Sequence, residues 1–74
     1  MKAVVFGGSG FIGSHVADEL SARGHKVRIF DIRRSPYLQK GQEMVVGDIL
    51  NEADVAKAVD GCDLVYNFAG FAHL

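Results

Sequence analysis

Apolar positions along the chain fall into two alternating patterns. Lys2–Phe6 reads KAVVF, a short apolar run rich in β-branched residues, as in a strand covered on both faces. Phe11, Ile12, Val16 and Leu20 then recur at helical spacing, with Asp18, Glu19 and Arg23 on the other side. Gly24 follows where a left-handed residue would end that helix. KVRIFD, Lys26–Asp31, is a second strand ending on an acid, and RRSPYLQKGQ has the composition of turns. Within it, Ser35-Pro36 can cap and open one helical turn that Gly41 closes. EMVVGD, Glu43–Asp48, is a third strand. Asn51 with Asp54 three residues on resembles a capping box, and Val55 and Val59 form the apolar stripe of a second helix stopped at Gly61. DLVYNFA, Asp63–Ala69, is a fourth strand.

Strands alternating with helices predict an α/β fold with a parallel sheet covered by helices. Right-handed crossovers leave few arrangements. The expected strand order is 3-2-1-4, the N-terminal half of a doubly wound, Rossmann-like sheet plus the first strand past its switch point.

Composition narrows the function. The 74 residues allow one domain, and NFAGFAHL at the C-terminus has the look of an interrupted one. A net charge of −1 with 23% charged residues gives no basic excess for nucleic acid. The single cysteine, Cys62, excludes an internal disulfide and a cysteine-built metal site, and reads as a small half-buried residue before a strand. No apolar run approaches the ~20 residues of a membrane span, and MKAVVFGG is broken too early for a signal peptide. The expected location is cytoplasmic. His15 and His25 read as solvated residues and His73 is the penultimate residue, and none has a ligand partner at metal spacing.

Candidate chemistry concentrates in VVFGGSGFIGSH, Val4–His15, where four glycines fall within seven residues between the first strand and the first helix. Glycine is costly inside either element. Here Gly8, Gly10 and Gly13 spell G-x-G-x-x-G, and Gly7, Gly10 and Gly13 spell G-x-x-G-x-x-G. In both frames the first glycine allows a tight turn, Gly10 leaves room for a pyrophosphate, and Gly13 lets the helix pack closely. The N–H groups around Phe11 and Ile12 and the positive end of the helix dipole would face the phosphates. Asp31 lies 18 residues past Gly13, near the spacing of an acid that hydrogen-bonds a ribose diol.

GGSGFIGSHVADELSARGHKVRIFD resembles the N-terminus of extended short-chain dehydrogenases/reductases, and most of all the NAD-dependent epimerase/dehydratase family acting on nucleotide sugars. The resemblance runs through nearly the whole chain. GDI, Gly47–Ile49, resembles the third-strand motif, which implies Asp48 at the adenine amino group and Ile49 beside the ring. VYNFAG, Val65–Gly70, resembles the fourth-strand motif, which implies Phe68, Ala69 and Gly70 along the dinucleotide; the common pattern has alanine where Gly70 stands. With Ile32 and Arg33 after the second strand, the implied cofactor-binding set is Gly7, Gly10, Phe11, Ile12, Gly13, Asp31, Ile32, Arg33, Asp48, Ile49, Phe68, Ala69 and Gly70.

The resemblance also implies a catalytic Tyr-x-x-x-Lys pair. Four residues on from Tyr37 is Gly41 and from Tyr66 is Gly70, so the catalytic residues are expected outside these 74, on the C-terminal side of a true start at Met1. Arg33 and Arg34 suit the 2′-phosphate of NADP, but Asp31 would lie beside it. Like charges ~4 Å apart repel by about 4 kcal/mol at an effective dielectric of 20, more than the ~1 kcal/mol an exposed arginine returns. NAD is therefore the expected cofactor.

The leading expectation is the cofactor half of a nucleotide-sugar epimerase, dehydratase or related enzyme. A non-catalytic dinucleotide sensor and an NADPH-dependent reductase are the alternatives, separated by a downstream Tyr-x-x-x-Lys segment and by relative cofactor affinity. The fourth strand carries no lysine, proline or inward charge, so the 74-residue piece alone is expected to self-associate along that edge.

Overall fold

The computed structural model describes residues 1–69. Its elements are β1 (Lys2–Phe6), α1 (Phe11–Ala22), β2 (Lys26–Asp31), β3 (Glu43–Val46), α2 (Glu52–Val59) and β4 (Leu64–Asn67). The strands are parallel and lie in the order β3-β2-β1-β4, as the alternation of elements predicts. β1 and β2 are central and almost wholly buried, which is why they read as continuous apolar runs.

Alternation along β1 and β2 divides the core into two layers. Ala3, Val5, Val27 and Ile29 pack with Ala17 and Leu20 of α1 on one face. Val4, Phe6 and Phe30 pack with Ala58 of α2 on the other. There the Phe6 and Phe30 rings meet at a centroid distance of 5.0 Å, tilted by 57°.

The helices end in different ways. After α1, Gly24 adopts φ +89°, its N–H bonds the Ser21 carbonyl and the His25 N–H bonds the Leu20 carbonyl, a full Schellman cap. Gly61 also turns left-handed after α2, at φ +74°, and the Cys62 N–H bonds the Val59 carbonyl, but the carbonyls on either side of Val59 are served by a side chain. Arg28 of β2 is buried, and its Nη1 donates to the carbonyls of Lys57, Ala58 and Asp60 at 3.3, 2.7 and 3.0 Å. Its Nε donates to Glu43 of β3 at 3.0 Å. That hydrogen bond, with the charges of Arg28 and Lys2, holds the Glu43 carboxyl below its usual range against the opposing effect of burial. One cation thus ties β2 to β3 and to the C-terminus of α2.

Several expectations need correction. Phe11 and Ile12 do not belong to the buried stripe of α1: they are 70% and 52% exposed, and the buried residues are Gly13, Ser14, Ala17 and Leu20. The first turn of α1 overhangs the C-terminal ends of the strands, and only small residues fit where it meets the chain below. β3 stops at Val46 rather than Asp48, because Asp48 Oδ1 accepts from the Leu50 N–H and starts a turn. β4 runs Leu64–Asn67 rather than Asp63–Ala69, since Asn67 Oδ1 accepts from the Ala69 N–H and turns the chain. Ser35-Pro36 opens no helix; Ser35 Oγ accepts from the Tyr37 N–H in a local turn. The capping box is half formed. Asn51 Oδ1 accepts from the Asp54 N–H at 3.0 Å, but the Asp54 carboxylate accepts from the Asp48 N–H instead of returning to Asn51.

Candidate functional site

A cavity of about 860 Å³ opens at the C-terminal ends of the strands, floored by Phe6 and Phe30 and rimmed by the β1–α1 turn and the ends of β2, β3 and β4. This is the crevice where strand order reverses between β1 and β4. Gly7, Gly10, Phe11, Ile12, Gly13, Asp31, Ile32, Arg33, Asp48, Ile49, Phe68 and Ala69 all line it. Gly70 lies outside the described residues.

Three of the four glycines of the turn are required by their surroundings, each for a different reason. Gly7 sits at φ +77°, and a Cβ there would come within 2.7 Å of the Phe68–Ala69 backbone. A Cβ on Gly8 would press on Ile29 at 2.6 Å, and one on Gly13 would collide with the Gly7 carbonyl oxygen. The first and last glycines of both reading frames are therefore sterically enforced. Gly10 differs: a Cβ would meet only the Gly7 carbonyl oxygen, at an ordinary 3.5 Å. Among the described residues nothing demands glycine at position 10.

The two helix N-termini also differ. α2 has a capping side chain and two acids, Glu52 and Asp54, in its first turn. α1 begins at Gly10 with no side-chain cap and no acid in its first turn, and among the described residues nothing accepts from the Phe11 or Ile12 N–H. The N-terminus of α1 is the one left open to an anion.

Asp31 joins three segments around the cavity. Its Oδ2 accepts from the Ser9 N–H at 3.0 Å, its Oδ1 from the Ile32 N–H at 2.7 Å, and its main-chain carbonyl from the Gly47 N–H at 3.0 Å. Each carboxylate oxygen keeps a lone-pair direction for a further donor. Asp48 is exposed at the mouth, beside the 38%-exposed Ile49. Gly47 is needed where the chain crosses Phe30, since a Cβ would lie 2.7 and 2.8 Å from two carbons of that ring.

Sequence reasoning missed Phe6, Ser9, Phe30, Gly47 and Leu50 as lining residues. For Ser9 the only signal was its place as the one side chain between Gly8 and Gly10. Arg33 lines the cavity, whereas Arg34 is not among its described lining residues. Tyr37 lies half exposed in the β2–β3 connection, and Tyr66 packs against the α1-side core, neither of them at the cavity. His15 is exposed and meets Phe11 edge-on at 4.5 Å. His25 departs from the solvated position expected of it: it is half-buried, and its Nδ1 is buried with no hydrogen-bond partner among the described residues. His73 lies outside them. Cys62 is half-buried before β4, as expected, with Sγ 3.7 Å from Arg28 Nη1. Among the described residues no cluster of His, Cys, Asp or Glu could hold a metal ion, and no helix is long and apolar enough to cross a membrane.

Residues 3–74 match the NAD dependent epimerase/dehydratase family. The chain belongs to that family. NAD, the cofactor in the family's description, agrees with the choice made from Asp31. A curated 3-beta-hydroxysteroid dehydrogenase from Mycolicibacterium neoaurum is 43% identical over 74 residues, covering 99% of this chain and 20% of that protein. A UDP-glucose 4-epimerase from Klebsiella pneumoniae is 39% identical over 82 residues, covering 95% of this chain and 59% of that protein. Among solved structures, the Thermus thermophilus UDP-glucose 4-epimerase in complex with NAD superposes with a TM-score of 0.80 at 31% identity, over 93% of this chain and 24% of that one. The chain spans about a fifth of the length of the first curated relatives it matches.

Proposed function

We propose that this chain is the NAD-binding portion of an oxidoreductase whose whole-protein reaction is epimerisation or dehydration of a nucleotide sugar. The observation that carries the reading is Gly10. Its neighbours are glycines because the fold leaves them no room, but Gly10 borders open space at an uncapped helix N-terminus. A glycine that the chain's own packing does not require suits the close approach of a ligand.

The lining residues fit a dinucleotide. The Phe11 and Ile12 N–H groups and the α1 dipole would take the pyrophosphate. Asp31 would accept from the ribose diol, and Asp48 and Ile49 would receive the adenine. Phe68, Ala69 and Gly70 would follow the chain of the cofactor, with Phe6 and Phe30 excluding water beneath it. When bound, NAD supplies a hydride acceptor and donor. No Tyr-x-x-x-Lys pair occurs in the sequence, so proton transfer falls to residues beyond these 74. The UDP-sugar ligands named for solved relatives at 30% and 31% identity support the substrate class.

A second reading has its own support. Relatives named as steroid and sterol dehydrogenases are 43% and 35% identical, which favours net oxidation of a sterol hydroxyl. Titration of the whole protein with NAD and NADP tests the cofactor. Incubation with UDP-glucose and with a 3β-hydroxysteroid then separates the two substrates. An epimerase interconverts the UDP-sugar without accumulating NADH; a steroid dehydrogenase accumulates NADH with the steroid alone. Failure to bind either cofactor refutes both readings.

A further inference from the structure

Ser9 contributes two hydrogen bonds that meet at one rim of the cavity. Its N–H donates to Asp31 Oδ2 at 3.0 Å, and its hydroxyl donates to the Arg33 main-chain carbonyl at 2.6 Å. The partners stand 22 and 24 residues away in sequence. They belong to the end of β2 and to the turn after it, whereas Ser9 belongs to the glycine turn. A single small residue therefore stitches together the two segments between which the adenosine ribose would lie.

The two bonds do different work. The N–H bond, with that from Ile32, orients the Asp31 carboxylate. The hydroxyl bond acts on the turn that carries two cations, Arg33 and Arg34. Both residues are exposed, and neither side chain appears in a hydrogen bond or ion pair among the described residues, so their reach depends on the backbone beneath them. Fixing the Arg33 carbonyl against the glycine turn removes freedom from that backbone. The rim itself presents the Asp31 carboxylate, whose two oxygens are acceptors. A ribose diol offers donors to such a rim; a phosphate ester offers only charge and acceptors and needs the arginines to swing in.

We propose that Ser9 is a positioning residue for cofactor discrimination: its hydroxyl locks the turn after β2 so that Arg33 and Arg34 stay away from the 2′ position, favouring NAD over NADP. This rests on reading the cavity as the NAD site. Ser9→Ala removes the hydroxyl and leaves the N–H bond to Asp31 in place. Loss of one such bond corresponds to a change of about three- to tenfold.

The experiment measures the dissociation constants of NAD and NADP for the whole wild-type protein and for Ser9→Ala, Ser9→Gly and Ser9→Thr. In the alanine variant NAD binding weakens about two- to threefold and NADP binding tightens, so the preference for NAD narrows about three- to tenfold. The gain for NADP fades with added salt, as an exposed arginine–phosphate contact does, and disappears when Arg33→Ala and Arg34→Ala are added. Ser9→Thr keeps the hydroxyl and restores the wild-type preference. Ser9→Gly replaces alanine as the test if the alanine variant does not fold. An unchanged ratio in the variants lacking the hydroxyl overturns the lock, as does a ratio that narrows only because NAD is lost. A wild-type protein that prefers NAD while the variants show no change overturns the lock alone; one that binds neither cofactor overturns the site reading as well.

Discussion

Replacing Arg28 by methionine keeps much of the side chain's length and removes the guanidinium donors from the C-terminus of α2, where the Cys62 N–H still serves the Val59 carbonyl. The Lys57, Ala58 and Asp60 carbonyls then lose the Arg28 donor, at 3.3, 2.7 and 3.0 Å, and only Ala58 keeps a weak contact, with the Cys62 thiol at 3.6 Å. Hydrogen bonds to a charged group contribute about 1.5–3 kcal/mol each in favourable geometry. The three share one nitrogen, and the longest is weak, so they do not sum. The Glu43 pair adds little, because Glu43 is 52% exposed while Arg28 is only 10% exposed. A net loss of about 2–4 kcal/mol follows, allowing for water reaching part of the vacated end. A fold of this size has only about 4–11 kcal/mol in total. The loss falls first on α2, which has eight residues and contributes one buried side chain, Ala58. Amide hydrogen exchange is the direct assay. At about 1.4 kcal/mol per decade, the α2 amides should exchange roughly 30- to 700-fold faster in Arg28→Met, with a smaller change in β1. Equal acceleration in α2 and β1 would show that α2 does not open separately. No acceleration at all would refute the claim that Arg28 is what satisfies those carbonyls.

Glu43 adds a pH signature. Its carboxyl is held below 4.5, chiefly by Arg28, so its stabilisation is present above the unfolded value and is lost as pH falls through the lower folded value; acid titration of unfolding should show this limb in wild type and a flatter one in Arg28→Met. Gly10→Val should leave the thermal midpoint nearly unchanged and abolish NAD binding, whereas Gly13→Ala should lower the midpoint through a collision with the Gly7 carbonyl costing about 1–3 kcal/mol or more; similar melting of the two variants would contradict the division of roles among the glycines. Asp31→Ala should weaken NAD by about 1.5–3 kcal/mol in calorimetric titration and also release the Ser9 and Ile32 amides, and undiminished affinity would remove Asp31 from the site. The isolated 74-residue polypeptide should sediment as more than a monomer at micromolar concentration, since β4 pairs on one side only and Val65 is 56% exposed; a stable monomer would refute pairing through that edge.

Local chemistry explains what could be read from the sequence. The order β3-β2-β1-β4 follows from alternating elements and crossover handedness, and the Schellman cap was visible because Gly24 follows the last helical turn. The residues that line the cavity were legible because the turn from β1 to α1 carries a spaced set of glycines. What stayed hidden depends on partners far away or on main-chain atoms. Arg28 looks like one polar residue inside an apolar strand, and its partners are carbonyls 29 to 32 residues downstream. Ser9 hides for the same reason, its hydroxyl partner being a main-chain oxygen. Phe11 and Ile12 have the spacing of core residues without being core, because helical spacing identifies a face of a helix but not where the sheet beneath it ends. Asp54 has the spacing of a capping box, but an adjacent turn offers its carboxylate a different amide.

The close crossing of Gly47 over Phe30 bears on how this site can change by descent. Alanine at position 47 is excluded while the full ring stands beneath it, because its Cβ would lie 2.7 and 2.8 Å from two ring carbons of Phe30. The backbone of Gly47 is not left-handed, so the obstacle is space alone. Phe30→Leu would open that space at a cost of about 1 kcal/mol or more. A lineage could therefore acquire a side chain at position 47 only after shrinking position 30, and once the side chain was in place, restoring the ring would become the harmful step. The two positions would behave as a ratchet, with the same pair of substitutions tolerated in one order and rejected in the other.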